Sequence, residues 1–386
     1  MIRKIYLDHS ATTPVDRNVV KAMLPYFTEN YGNPSSIHQS GRAARTAVEA
    51  ARSQIAKLIH AKNSEIYFVS GGTEANNLAI RGVALANRNR GNHIITTRVE
   101  HPAVLETCKA LEKEGFQITY LNVDEHGMVD PETVKQAIRK ETILVSIIFA
   151  NHEVGTINPV EEIGRITREA NIFFHSDAVQ GFGKIKIDIN KLGIDLLSIS
   201  GHKIYGPKGI GALYIRRGTP ISRIIHGGAQ EQKRRAGTEN VPGIVGLATA
   251  AELIYTNLEE ESQRISQLRD YFQQQICDRF KPVKINGHPK NRLYHNLNVS
   301  FEGCESQSLL LSLSMVGIAA SMGSACTSGI VEESPVLKAM GLTPVHLRSA
   351  IRFTLGKQNT KDEIDYVLEK LEEIIPRLRK VSKFNR

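Results

Sequence analysis

The sequence contains few cysteines. Its 386 residues include four, Cys108, Cys277, Cys304 and Cys326, and no two of them form a CxxC pair. This spacing argues against a zinc ribbon and a thioredoxin-like motif, and we expect no metal site. Four scattered thiols in a chain of this length do not resemble a disulfide framework. We therefore expect a reducing, cytoplasmic environment.

Long apolar runs are also missing. No run approaches the roughly 18 residues that a membrane-spanning helix requires, so we expect no membrane contact. The first residues carry two positive charges and reach Asp8 without an apolar core, so we expect no secretory signal. The sequence shows no internal repeat and no low-complexity segment.

The charge and composition are those of an ordinary globular protein. The chain has 49 Lys and Arg against 40 Asp and Glu, a net charge of +9, and it is 41% hydrophobic. This surplus permits nucleic acid as a partner but does not require it. The sequence lacks the aromatic platforms and signature motifs of RNA-binding modules, so nucleic acid is not the expected main partner.

Short apolar runs alternate with helical patterns through the first two-thirds of the chain. The predicted strands lie at residues 66–70, 93–97, 118–122, 142–150, 172–175, 195–199 and 211–215. This alternation predicts an α/β fold with a mostly parallel sheet covered on both faces. After about Pro242 the pattern changes to a long helix over 242–280, two strands and a final helix over 361–380. That part predicts a smaller α+β domain.

A lysine follows one predicted strand in a polar, glycine-rich loop. Residues 198–209 place Lys203 after Ser200, Gly201 and His202 and before a Gly-Pro turn. A lysine that forms a Schiff base needs a lowered pKa, which burial and neighbouring cations supply. Ser200 and His202 add donors suited to a phosphate. The alternative is an ordinary solvated lysine in a surface loop.

A carboxylate follows another predicted strand. Asp177 comes just after the strand at 172–175. A carboxylate in this place can pair with a pyridinium nitrogen, or it can simply cap the next turn. Because ligands bind at the carboxyl ends of strands in α/β sheets, Asp177 and Lys203 are expected to face one site.

The turn at residues 70–74 suits an anion. Gly71 and Gly72 allow a tight turn, and Thr73 is predicted to cap the following helix, whose free N–H groups attract a phosphate. A plain strand–helix turn is the alternative, since the spacing matches neither a Walker A motif nor a GxGxxG motif.

Cys326 stands apart from the other three cysteines. It lies among small and polar residues at 321–329, whereas a structural cysteine usually has apolar neighbours. This setting favours a reactive thiol. Cys108, Cys277 and Cys304 are interpreted as structural or incidental.

Taken together, these motifs resemble the cysteine desulfurases, a group of pyridoxal-phosphate (PLP) enzymes of fold type I in the class V aminotransferase branch. The resemblance covers nearly the whole chain. Its motifs lie at residues 6–14, 32–36, 70–74, 99–101, 151–155, 177–180, 200–203, 235–238, 323–328 and 351–353. It implies a large PLP-binding domain of residues 15–257 with a seven-stranded sheet. It also implies a small domain of residues 1–14 and 258–386 that carries the Cys326 loop.

The resemblance also implies a role for each site residue. Lys203 would bind PLP covalently and later move the substrate Cα proton, and Cys326 would take sulfur from L-cysteine as a persulfide. The implied cofactor contacts are His101 stacked on the ring, Asp177 at the ring nitrogen, Gln180 at the ring hydroxyl, and Gly72, Thr73, Ser200 and His202 at the phosphate. Thr238 would reach the phosphate of a partner subunit in a homodimer. Asn151, placed beside the cofactor, and Arg352 would bind the substrate carboxylate, as a guanidinium suits.

Two positions depart from the family pattern, since the family often has Asn where His9 and His152 stand. The implied activity converts L-cysteine to L-alanine and passes sulfur to an acceptor, such as an iron–sulfur scaffold protein, with only indirect tRNA contact. A selenocysteine lyase or a class V aminotransferase is the alternative within the family. A basic RNA-binding or sulfur-relay scaffold that uses Arg216, Arg217 and the run 233–235 is the alternative outside it.

Overall fold

A computed structural model describes residues 3–322 and 333–381 of the chain. These residues form 12 β-strands and 13 α-helices. The strands build three sheets, of seven, three and two strands.

The seven-stranded sheet lies at the centre of the larger part. Its strands are β2 (Ile66–Val69), β3 (His93–Thr97), β4 (Gln117–Leu121), β5 (Thr142–Ser146), β6 (Phe173–Asp177), β7 (Leu196–Ser200) and β8 (Gly211–Ile215). They are arranged in the order β2-β8-β7-β6-β5-β3-β4. Only β8 runs antiparallel to its neighbours β2 and β7, and the other pairs are parallel. The predicted mostly parallel sheet is thereby confirmed.

Helices cover both faces of this sheet. They are α1 (Arg17–Met23), α2 (Pro25–Thr28), α3 (Gln39–Leu58), α4 (Gly72–Ala86), α5 (Pro102–Lys113), α6 (Pro131–Ala137), α7 (Val160–Glu169) and α8 (Val241–Thr256). Consecutive residues of β5 point to opposite faces. Leu144 joins the core under α4 and α5, whereas Val145 joins the core under α3 and α8. A strand buried on both faces is mostly apolar, which explains the apolar runs in the sequence.

The smaller part is built on two further sheets. Its strands are β1 (Ile5–Tyr6), β9 (Val283–Asn286), β10 (Asn296–Phe301), β11 (Ile318–Ala319) and β12 (Ala350–Thr354). The helices are α9 (Leu258–Arg279), α10 (Ser306–Met315), α11 (Pro335–Ala339), α12 (Pro344–Arg348) and α13 (Lys361–Val381). A separate core gathers Leu7, Phe272, Phe301, Phe353 and Leu371. The N-terminal strand β1 pairs with β11, which lies more than 300 residues later in the sequence. The start of the chain therefore belongs to the smaller part. The domain boundaries at residues 14 and 257 stay a prediction.

The prediction of one long helix over 242–280 was wrong. The chain forms α8 and α9, whose axes are bent by 71°. Asn257 separates them with φ −107° and ψ 11°, outside the helical range. Among the described helices, no single one is long and apolar enough to cross a membrane. Only the bent pair of α8 and α9 passes that test by length and composition.

A buried ion pair holds an unusual turn next to the large sheet. Glu231, Gln232 and Lys233 have φ values of +46°, +55° and +67°, a left-handed run that side chains other than glycine rarely adopt. The Arg52 guanidinium donates two hydrogen bonds to the Glu231 carboxylate, of 2.7 and 2.8 Å. The Phe68 N–H donates a third, of 2.8 Å. These contacts fix a turn that the backbone alone disfavours.

Replacement of Glu231 by Ala would remove the buried carboxylate partner of the Arg52 guanidinium and leave it only the exposed carboxylate of Glu49. We expect the free energy of unfolding, measured in urea, to fall by about 3–5 kcal/mol. The control is Glu106→Ala, which breaks an exposed pair with Lys109 and is expected to cost less than about 1 kcal/mol. Equal losses in the two variants would contradict the assignment.

Candidate active site

A cavity of about 340 Å³ opens at the carboxyl ends of β6 and β7. Its lining contains nine of the residues predicted from the sequence: Gly72, Thr73, His101, Asp177, Gln180, Ser200, His202, Lys203 and Arg352. The cavity therefore brings together side chains from the seven-stranded sheet, the three-stranded sheet and distant parts of the chain. It lies at the edge where ligands bind in α/β folds.

Lys203 ends a short turn that follows β7 directly. Its Nζ donates hydrogen bonds to the carbonyl oxygens of Ser10 and Ala11, at 2.6 and 2.7 Å. Burial, and then the positive charge of Arg352, lower the pKa of Lys203 from 10.5 to about 8. A neutral, nucleophilic amine is therefore present at a much lower pH than for an ordinary lysine.

Asp177 is the last residue of β6 and is buried. Its Oδ2 accepts a hydrogen bond of 2.7 Å from Asn76 Nδ2, and its Oδ1 accepts one of 3.0 Å from the Val179 N–H. An ionised carboxylate offers about four acceptor positions, so Asp177 keeps capacity for a ligand in the cavity. The sequence analysis did not identify Asn76 as a site residue, because Asn76 belongs to none of the recognised motifs.

The start of α4 forms a cradle for an anion. A Cβ on Gly72 would approach Val179 Cγ2 to 2.7 Å, so only glycine fits between the helix and the neighbouring strand end. Helix α4 begins at Gly72, and its N-cap, Gly71, makes no side-chain capping bond. The expected capping role of Thr73 is therefore wrong. Thr73 instead lines the cavity beside Ser200, where the helix N-terminus favours negative charge.

Two histidine rings lie at one wall of the cavity. His101 caps α5 and accepts a hydrogen bond of 3.1 Å from the Ala103 N–H at its Nδ1. Burial lowers the pKa of His101, Lys203 adds to this effect, and Asp177 opposes it. Because Nδ1 accepts from the Ala103 N–H, a neutral His101 ring carries its hydrogen on Nε2. His152 meets it edge to face at 5.4 Å and has a buried Nδ1 without a partner among the described residues.

Arg352 closes the cavity from the small sheet. Its Nη1 donates to the His152 carbonyl oxygen at 2.8 Å, and its Nη2 donates to Asp8 Oδ1 at 2.7 Å. These two contacts fix the plane of the guanidinium. Its Nε is buried and has no partner in the described part of the chain. The group can therefore still bind a carboxylate.

Ser10 joins the N-terminal segment to the cavity. Its carbonyl oxygen accepts from Gln180 Nε2 at 2.9 Å as well as from Lys203 Nζ. The Oε1 of Gln180 is left buried without a partner among the described residues. This orphaned acceptor is available to a ligand hydroxyl. The motif at residues 6–14 indicated that this segment belongs to the family pattern. It did not predict that the backbone carbonyls of the segment would bind Lys203.

Two of the predicted site residues that the structure describes do not line the cavity. Asn151 is fully buried, and its side chain binds the Val99 carbonyl and the N–H groups of Glu153 and Val154. Thr238 is exposed and outside the lining residues. Cys326 lies outside the described residues.

Two further buried ionisable side chains, Cys108 and Lys184, have no role in the predicted site. Burial raises the pKa of Cys108 to about 12, which makes its thiol inert. Lys184 is buried, and its Nζ donates a hydrogen bond of 3.3 Å to the Lys203 carbonyl oxygen. No motif marked it in the sequence. Among the described residues, no group of three or more His, Cys, Asp or Glu side chains is arranged to hold a metal ion.

Replacement of Arg352 by Gln would remove a positive charge that opposes the ammonium form of Lys203. It would also leave Asp8 unpaired, and the charge of Asp8 raises the same pKa. We therefore expect the Lys203 pKa to rise above about 8. The measurement is the pH dependence of Lys203 acylation by acetic anhydride in cofactor-free protein, followed by peptide mass spectrometry. Arg165→Gln, at an exposed position on α7, should leave the profile unchanged. A profile that stays in place or moves to lower pH in the Arg352 variant would contradict this account.

Comparison with known proteins agrees with this geometry. The model of the aminotransferase class-V family matches residues 5–367. A relative from Dictyoglomus turgidum, cysteine desulfurase IscS, is 53% identical over 385 residues, which cover 100% of this chain and 98% of that protein. A second, from Methanosarcina thermophila and of the same name, is 53% identical over 380 residues, 98% of this chain and 94% of that protein.

A solved structure described as a NifS-like protein superposes with a TM-score of 0.92 at 41% identity, covering 97% of this chain and 100% of that one. These findings confirm the resemblance and the fold type predicted from the motifs. The chain belongs to the aminotransferase class-V family and, within it, to the IscS- and NifS-like cysteine desulfurases.

Proposed function

We propose that this chain is a PLP-dependent cysteine desulfurase that converts L-cysteine to L-alanine and transfers the sulfur to Cys326. One observation carries the proposal. A single cavity holds an amine with a lowered pKa, an anion cradle and a fixed guanidinium, contributed by Lys203, the start of α4 and Arg352.

The cavity lining fits PLP. The start of α4, together with Ser200 and His202, suits the phosphate, and the room that Gly72 leaves allows close approach. The orphaned Gln180 Oε1 suits the ring hydroxyl, and Asp177, at the carboxyl end of β6, suits the ring nitrogen. His101 would stack on the ring. Bound PLP supplies an electron-withdrawing ring that stores the electron pair released at the substrate Cα.

The side chains then divide the work on the substrate. Arg352 binds and orients the L-cysteine carboxylate, with its own plane fixed by Asp8 and His152. Lys203 would hold the cofactor covalently and, as a free amine, would take the proton from the substrate Cα. Its lowered pKa makes it a base at mildly alkaline pH. Asn151 is proposed to support this wall, through Val99 and the backbone at Glu153, rather than from within the cavity.

The sulfur transfer balances without an external reductant. The Cys326 thiolate attacks the substrate sulfur, an S–S bond forms, and the Cβ–S bond breaks with its electron pair left on carbon. Cβ takes up a proton, so one cysteine and one thiol give one alanine and one persulfide. An acceptor thiol, on an iron–sulfur scaffold or another sulfur carrier, then removes the outer sulfur. This chemistry requires reduced cysteines and hence the cytoplasmic setting expected from the sequence.

Replacement of Cys326 by Ala tests the function. We expect alanine formation and persulfide labelling to be lost, while exchange of the substrate Cα hydrogen with deuterated solvent continues, because Lys203 acts before Cys326. Lys203→Ala should lose both. Mass spectrometry after borohydride reduction should find PLP on the peptide that contains Lys203. Full alanine formation by the Cys326 variant would contradict the persulfide step and favour a selenocysteine lyase, whereas an aminotransferase would release the 2-oxo acid of cysteine.

We also propose a homodimer in which Thr238 acts in the partner's cavity. Thr238 is exposed and does not line the cavity of its own chain, as a residue that serves another subunit would. The surface also exposes Leu24, Phe27, Tyr31 and Ile37, whose exposed fractions range from 56% to 89%. Exposed apolar side chains close in sequence are typical of a protein interface.

Co-expression of Lys203→Ala and Thr238→Ala chains tests this arrangement. If Thr238 crosses the interface, the mixed dimer contains one cavity with both residues intact and regains about half of the wild-type activity per dimer. If Thr238 serves its own chain, neither cavity is complete and the mixed dimer is no more active than the Thr238 homodimer. The two homodimers, purified separately, are the controls.

A further inference from the structure

Glu100 is a buried carboxyl group that the proposed mechanism does not use. It is only 1% exposed and directly precedes His101, which lines the cavity. Its Oε1 accepts two hydrogen bonds, of 2.7 Å from the Thr97 hydroxyl and of 2.9 Å from the Ile148 N–H. A buried carboxyl group needs such partners, because burial without hydrogen bonds is unfavourable.

The Glu100 side chain bridges a gap between two strands. β3 and β5 are paired as far as Ile95 and Val145. The chain after β3 then forms the turn that leads into α5, and this β3–α5 turn contains Glu100 and ends at His101. The Ile148 N–H lies just beyond β5, where Glu100 Oε1 accepts from it as a strand carbonyl would. The side chain therefore ties the β3–α5 turn to the chain that follows β5.

The chain that follows β5 is also bonded to the strand that carries Asp177. The Phe149 N–H donates to the Asp177 carbonyl oxygen at 2.9 Å. Its neighbour Ile148 lines the cavity and donates to Glu100 on the other side. Hydrogen bonds on both sides of this stretch thus connect the turn before His101 to the backbone of Asp177. These two residues are the ones proposed to contact the face and the nitrogen of the pyridoxal ring.

We propose that Glu100 is a positioning residue that holds the His101 ring at the cavity wall and thereby strengthens the retention of PLP. This role rests on the proposed function, because it requires His101 to stack on the cofactor ring. The hydrogen bond that His101 accepts from the Ala103 N–H lies within the start of α5 and does not fix the β3–α5 turn against the sheet. Glu100 supplies that link.

The contacts of Glu100 do not require a negative charge. Burial raises the pKa of Glu100 to about 8, and the hydrogen bonds from Ile148 and Thr97 oppose this rise only in part. The protonated form therefore predominates at neutral pH, and its carbonyl oxygen still accepts both bonds. A glutamine side chain has the same length and an amide oxygen in the same place, so Gln is the conservative replacement.

Replacement of Glu100 and His101, alone and together, tests the proposal. With Glu100→Ala we expect the Kd of PLP for the cofactor-free protein at neutral pH, measured from the absorbance of the bound cofactor, to rise about tenfold, because both hydrogen bonds are lost. Glu100→Gln keeps the acceptor and should stay within about twofold of the wild-type Kd. If Glu100 acts through His101, the double Ala variant binds PLP no more weakly than His101→Ala alone. Thr97→Val removes one donor and should give a smaller loss of the same kind, so it serves in place of Glu100→Ala if that variant does not fold.

Asp195→Ala is the matched control. Asp195 is a partly buried carboxyl group that directly precedes β7, at the edge of the large sheet opposite the cavity, and it accepts from the Phe174 N–H at 2.9 Å and from Arg216 at 2.9 Å. Its loss should lower the free energy of unfolding in urea and leave the Kd of PLP unchanged.

Four outcomes would overturn the positioning role. They are an unchanged Kd in Glu100→Ala or its substitute, a loss in Glu100→Gln equal to that in Glu100→Ala, additive losses in the double variant, and an unchanged Kd in His101→Ala. The proposed function fails separately, if borohydride reduction of the wild-type protein with PLP leaves no cofactor on Lys203.

Discussion

The site depends on one carbonyl oxygen near the start of the chain. Ser10 O accepts from both Lys203 and Gln180, and its neighbour Asp8 pairs with Arg352. The Ser10 N–H donates to Thr354 Oγ1 on β12. A short N-terminal segment thus links the end of β7 in the large sheet to a strand of the small sheet. This segment therefore holds Lys203 and Arg352 in fixed positions relative to each other.

Charge is the second constraint on the cavity. Lys203 and Arg352 line the cavity, Lys184 is buried beside Lys203, and Asp8 and Asp177 are among the carboxylates that partly offset these three positive charges. Burial lowers the pKa of both lysines, because the charged form is less well solvated there. In the proposed function, a doubly charged phosphate and a substrate carboxylate would complete the balance. The same cations that make the amine nucleophilic therefore also select anionic ligands.

The sequence predicted what local patterns encode. Apolar runs located the strands of the large sheet, and the rule that ligands bind at strand ends placed Asp177 and Lys203 in one site. It did not predict the contribution of Asn76, His152 or the Ser10 carbonyl, because these contacts join residues far apart in the chain. Asn151 shows the opposite case. Its motif was recognised in the sequence and predicted a ligand contact, but its side chain is bonded to the backbone instead. The helix break at Asn257 was also missed, because both sides of it have good helical patterns.

That break has a consequence for how the chain tolerates change. Helix α8 packs in the core of the large sheet, and α9 buries Ile265, Phe272 and Ile276 in the core of the small part. A single residue, Asn257, joins α8 to α9, so the connection between the two helices is too short to absorb an inserted residue. One inserted residue would turn α9 by roughly 100° about its axis and present its apolar stripe to water. The length of this connection therefore fixes the rotation of α9 against the core of the small part, given that α8 is held in the core of the large sheet.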